Sequence, residues 1–141
     1  RVILYCYWED KDGNRVTDVS PGLIELGLTG NGWVEDASAS TEERKVVYYT
    51  GILPAGQQTP ALSDTLTINE KAALMMSGGE GREEAGDNGS TGQATDYGYD
   101  GLRFVLEAEV NAVQTHNAED AIKSAWGVDV SVGANGNLNL R

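Results

Sequence analysis

Seven consecutive residues near the start of the chain, Val2-Ile3-Leu4-Tyr5-Cys6-Tyr7-Trp8, are apolar on both alternating sets. A strand with one solvated face places polar residues at every second position, and this run places none. It is therefore expected to be a central β-strand covered on both sides. Lys11-Asp12-Gly13-Asn14 follows as a tight-turn signal, leading into a shorter segment around Val16. A fold whose first element is a buried strand closed by a hairpin turn is constrained to be sheet-based from the outset.

The rest of the chain agrees with an all-β domain. Short apolar runs rich in Val, Ile, Thr and Tyr alternate with Gly, Asn and Asp. Pro21-Gly22 turns the chain before Leu23-Ile24-Glu25-Leu26-Gly27-Leu28. Asn31-Gly32 precedes Trp33-Val34, and a strand is expected from Lys45 to Thr50. Two prolines and a glycine exclude regular structure between Pro54 and Pro60. A strand over 62–68 is expected to carry Leu62, Leu66 and Ile68 on one face. Residues 69–76 are ambiguous, since Glu70-Lys71-Ala72-Ala73-Leu74-Met75-Met76 holds good helix formers but is too short to decide. Residues 78–96 hold six glycines, several acids and no large apolar residue, which reads as a mobile, Gly-rich acidic loop.

Between Leu102 and Val113 the set Leu102, Phe104, Leu106, Ala108, Val110 and Ala112 alternates with Arg103, Glu107, Glu109 and Asn111. One face is expected in the core and the other in water. One short helix is expected near Asn117–Trp126. Asn117 suits the N-cap, Glu119 and Asp120 the first turn, and Gly127 the C′ position, while Ile122 and Trp126 share the packing face. Val128, Val130 and Val132 alternate with polar residues before Asn135-Gly136 turns the chain into its last strand.

At 141 residues and 15.0 kDa, the chain reads as a single domain over 1–141, able to bury about two-thirds of its unfolded surface. Cys6 is the one cysteine, so no intrachain disulfide forms, and its place in the first strand marks a buried thiol. Ten Lys and Arg against 22 Asp and Glu leave a net charge of −12. That balance argues against nucleic acid and anionic membrane surfaces as partners. The longest apolar run is far below the roughly 20 residues that span a bilayer, so no membrane insertion is expected.

Chemistry-bearing patterns are sparse. His116 is the only histidine, and no marked nucleophile or orienting acid accompanies it, so it reads as a hydrogen-bonding residue at the strand-to-helix junction. One His and one Cys do not make a zinc site, and the common hydrolase and nucleotide-binding motifs are absent. Asp10-Lys11-Asp12-Gly13-Asn14 departs from a calcium loop because its glycine is fourth instead of sixth, with no Glu at the twelfth position. No catalytic, cofactor-binding or metal-ligating residues are assigned, and the expectation is a protein that is not an enzyme. Tyr48 and Tyr49 read as core, whereas Tyr97 and Tyr99 are left open as core or as part of a binding face.

Several segments together carry a family resemblance. They are Tyr7-Trp8-Glu9-Asp10-Lys11-Asp12-Gly13-Asn14, Leu23-Ile24-Glu25-Leu26, Gly32-Trp33-Val34, Glu42-Glu43-Arg44, Tyr48-Tyr49-Thr50 and Ile52-Leu53-Pro54-Ala55-Gly56-Gln57. The most specific is Ala112-Val113-Gln114-Thr115-His116-Asn117-Ala118 through Ala121-Ile122-Lys123-Ser124-Ala125-Trp126-Gly127-Val128. Their order resembles the C-terminal two-thirds of Gram-positive exported proteins with a SipW-dependent type of signal peptide, related to the TasA and camelysin biofilm-matrix group. The resemblance implies a secreted, jelly-roll-like antiparallel β-sandwich that polymerises with itself into extracellular fibres. Such proteins carry a signal peptide and strands upstream of the part matching Arg1 to Trp8. The start at Arg1 is thus expected to reflect a processed or truncated chain whose first strands are missing or supplied in trans. Camelysin-type relatives have been labelled metalloproteases; with no zinc motif here, that activity is not carried over. The alternative expectation is a cell-surface module binding carbohydrate or a host protein through the Tyr97 and Tyr99 region.

Overall fold

A computed structural model describes residues 1–69 and 101–141, together with the backbone of two strands between them. The described residues are β-rich with antiparallel pairing and one short α-helix, as the all-β reading expects. The strands are β1 (Val2–Glu9), β2 (Arg15–Val16), β3 (Ile24–Leu28), β4 (Trp33–Glu35), β5 (Arg44–Tyr49), β6 (Ser63–Ile68), β7 (Arg82–Ala85), β8 (Thr91–Ala94), β9 (Arg103–Val110), β10 (Val130–Val132) and β11 (Leu138–Leu140). The helix, α1, spans Ala118–Trp126 between β9 and β10. No helix among the described residues is long and apolar enough to cross a membrane.

The chain divides into two compact units interleaved in sequence. The first comprises residues 1–6, 27–65 and 106–141; the second comprises 7–26 and 66–105. In the first unit, β1 pairs antiparallel with β5 (Val2 opposite Val47, Tyr5 opposite Arg44), and β5 pairs antiparallel with β4 (Trp33 opposite Tyr49). Ile3, Val46 and Tyr48 form the buried centre, with Tyr5, Ala39, Trp126, Val128 and Leu140 packed against it. β10 and β11 form a hairpin, Val130 opposite Leu140. β9 pairs with β1, and Arg1 and Asn111 exchange backbone hydrogen bonds at one end of that pairing, 3.0 and 2.9 Å.

β1 pairs with β2, β5 and β9 along its edges, and side chains of both alternating sets are buried on its faces. Val2, Ile3, Leu4, Cys6 and Trp8 are all buried. Burial raises the pKa of the Cys6 thiol, with Lys45 opposing more weakly, so the group behaves as a small apolar side chain.

In the second unit, the turn after β1 closes as the sequence directs. Gly13 sits at φ 83°, and its N–H donates to the Asp10 carbonyl at 3.1 Å. Asp10 Oδ1 accepts from the backbone N–H groups of Asp12 and Asn14 at 2.8 and 2.9 Å, while the Asn14 amide donates to Oδ2 at 3.0 Å. These donors, the Asn14 side chain foremost, hold the Asp10 carboxyl below its ordinary pKa of 3.8. Its folded pKa is thus below its unfolded one. The stability this adds is present above the unfolded value and is lost as the pH falls through the depressed folded value. Asp10→Ala should therefore be less stable than the parent near neutrality, with the gap narrowing in acid as the pH falls through the depressed folded value. Urea titrations of both proteins near neutrality and in acid measure this; a pH-independent gap would refute it.

Several expectations are corrected. β9 is shorter than 102–113, and most of its apolar set is not core: Leu106 is 43% exposed and Val110 72%. Alternation identifies which residues share a face, not whether anything covers that face. Phe104 alone among the larger residues meets an aromatic partner, Trp8, with ring centroids 5.4 Å apart. In β6, Leu66 and Ile68 are likewise exposed, at 53% and 46%. Asn117 occupies the helix N-cap position, yet its backbone is left-handed (φ 50°) and its side chain makes no capping bond. The first-turn acid Glu119 instead accepts from the Val132 N–H at 2.7 Å, tying α1 to β10. Within 78–96, read as a loop, Arg82–Ala85 and Thr91–Ala94 pair as antiparallel strands; the other residues of that stretch, and most of 69–76, lie outside the described residues.

Candidate functional site

The first unit contains a partly open cleft of about 430 Å³. Its walls are predominantly apolar and come from separate stretches of chain: Trp33 from β4, Tyr48 and Tyr49 from β5, Ile52 and Leu53 beyond β5, Val110 at the end of β9, and Ile122 and Trp126 from α1. Local chemistry positions each wall. Trp33 is fixed by its indole N–H, which donates to the Pro60 carbonyl at 2.9 Å, and by the tilted Tyr49 ring, 5.3 Å away. Trp126 ends α1, where Gly127 turns the chain at φ 69° and its N–H closes on the Lys123 carbonyl at 3.0 Å. Its ring lies 5.9 Å from that of Tyr48.

One charged side chain enters these walls. The Arg1 guanidinium carbon stands 4.8 Å from the centroid of the Trp126 ring, a cation–π distance. Its Nε and Nη2 donate to Asn111 Oδ1 at 3.0 and 2.7 Å, so the group is held by a neutral amide rather than by a carboxylate. In a chain of net charge −12, a cation fixed this way in an apolar cleft is an exception to the surrounding electrostatics.

The rim is apolar and solvent-facing, because Ile52, Leu53, Val110 and Val132 are exposed. On β9, Leu106 extends the apolar row of Val110, and among the described residues β9 pairs with no strand other than β1.

The residues weighed from sequence are not gathered here. His116 is exposed before α1, and no hydrogen bond to a described residue holds it at the junction. Tyr48 is buried as expected, whereas Tyr49 is only half-buried and lines the cleft. Tyr97 and Tyr99 lie outside the described residues. No group of three or more His, Cys, Asp or Glu able to hold a metal ion occurs among the described residues. Sequence reasoning missed the cleft: Trp33, Ile52, Leu53 and Arg1 are scattered along the chain without a shared period. The one available signal was the apolar pair Ile52-Leu53 between strand and proline turn, where burial is not expected.

No family model, no curated protein and no solved structure matches this chain.

Proposed function

We propose that this chain is a secreted structural subunit of an extracellular fibre or pilus-like filament, of the SipW-dependent matrix-protein type, that polymerises by β-strand exchange. The exposed apolar row of β9 carries the reading. A strand patterned to bury Leu106 and Val110 leaves both open to water, and covering them with a strand from a second copy gains about 25 cal/mol for each Å² of apolar surface removed. If the donating and accepting surfaces differ, the contact repeats head to tail into an open filament. The family resemblance supports the same reading.

Charge sets the conditions. Subunits of net charge −12, with Glu107 and Glu109 on the same strand, repel one another until salt screens them, so assembly should accelerate as the Debye length falls below about 10 Å near 0.1 M salt. The test is electron microscopy and light scattering of the full secreted protein across concentration, pH and salt, beside the double variant Leu106→Asp, Val110→Asp. Fibres are expected from the parent, and loss of most polymer from a variant whose circular dichroism is unchanged. Monomers of the parent under every condition, or fibres of the folded variant at the parental rate, would overturn the reading.

A further inference from the structure

We infer that the cleft of the first unit is a binding site for a compact amphiphile: a small apolar or aromatic body bearing one anionic head. This does not rest on the assembly reading. The cleft volume of about 430 Å³ falls within the roughly 300–1,000 Å³ typical of small-molecule sites. The lining has the composition of such sites, mostly apolar with few polar side chains. Trp33, Tyr49 and Trp126 offer ring surfaces for a planar or acyl body, and Ile122, fully buried, closes one wall.

Arg1 selects the head. Its two observed donations go to the single oxygen Asn111 Oδ1, so this neutral partner orients the guanidinium without cancelling its charge. Stacking on Trp126 restrains it further. A guanidinium has five N–H donors, so the group retains donors for a carboxylate or a similar oxyanion. A neutral acceptor gains an ordinary hydrogen bond beside its burial; an anion gains a stronger, charge-assisted one in partly desolvated surroundings. A cationic ligand is opposed by Arg1 itself. The negative charge elsewhere on the chain slows an anion's approach, so the contacts within the cleft must supply the selectivity.

The probe pair is naphthalene-2-carboxylate and its neutral counterpart naphthalene-2-carboxamide, titrated into the full chain by calorimetry and by ¹H–¹⁵N spectra. The carboxylate is expected to bind at least about tenfold more tightly than the amide. Shifts should fall on the indole N–H signals of Trp33 and Trp126, and not on that of Trp8. Arg1→Gln should abolish the preference for the carboxylate, bringing the two probes to equal affinity. Leu53→Trp, at an exposed rim position, should fill the mouth and weaken both ligands without altering the circular dichroism. Equal affinity of the two probes for the parent, absence of binding by either, or shifts confined to residues outside the cleft would overturn the assignment. These readouts need no polymer, so failure of fibre assembly leaves them unaffected.

Discussion

Trp8→Ala is expected to destabilise the second unit by about 3–5 kcal/mol, the range for deleting a buried large aromatic side chain. Trp8 is buried, and its ring meets Phe104 edge-on at 5.4 Å and 66°. Its indole N–H donates to the Ser20 carbonyl at 3.1 Å, which joins the end of β1 to the loop before the Pro21–Leu23 turn. Truncation removes the apolar burial, the aromatic pair and this bond together. Trp8→Phe separates the contributions. It retains most of the ring and loses the donor, but Ser20 is exposed and water can take up its carbonyl, so the cost should be only about 1–2 kcal/mol. Urea unfolding followed by circular dichroism and by fluorescence checks both values. A loss below about 1 kcal/mol for Trp8→Ala would mean that this ring does not hold the unit together.

Ile122→Ala is expected to cost about 2–5 kcal/mol in the first unit. A helix of nine residues is not stable alone, so α1 persists through packing, and Ile122 is its one fully buried side chain. Alanine is the better helix former by a few tenths of a kcal/mol, which is too small to offset the lost burial and the new void. Ile122→Val should cost only about 0.5–1.5 kcal/mol. Ser124→Ala, at an exposed position on the same helix, should be close to neutral or slightly stabilising. If Ile122→Ala unfolds at the parental urea midpoint with an unchanged slope, packing of α1 is not what stabilises it. Because Ile122 also lines the cleft, the alanine variant enlarges that space, and its ligand affinity should change along with its stability.

Elements whose cause is local are legible in the amino-acid order. The apolar run of β1, the Asp10–Asn14 turn, the β10–β11 hairpin around Asn135-Gly136 and the end of α1 at Gly127 depend on side chains a few residues apart. The burial of Cys6 is legible for the same reason, since both faces of its strand are apolar. Asn117 shows where local reasoning stops. It has the right side chain at the right position, yet the backbone takes a left-handed turn and the capping bond does not form. Glu119, expected to act on the helix dipole, also reaches the Val132 N–H, a partner that no spacing rule identifies.

The division between the two kinds of information is clearest in β9. By itself, the sequence determined that this segment is a strand and that Leu106 and Val110 share a face, because the period of a β-strand follows from backbone geometry alone. It also determined the β-rich class, the inert thiol and the excess negative charge. Whether the shared face is covered depends on which distant segments return to it, and only the tertiary structure decided that Phe104 meets Trp8 while Val110 meets solvent. The cleft belongs to the same category. Arg1, Trp33, Leu53 and Trp126 converge through strand pairing between residues far apart in the chain, and a site assembled from long-range pairing leaves no period for the sequence to display.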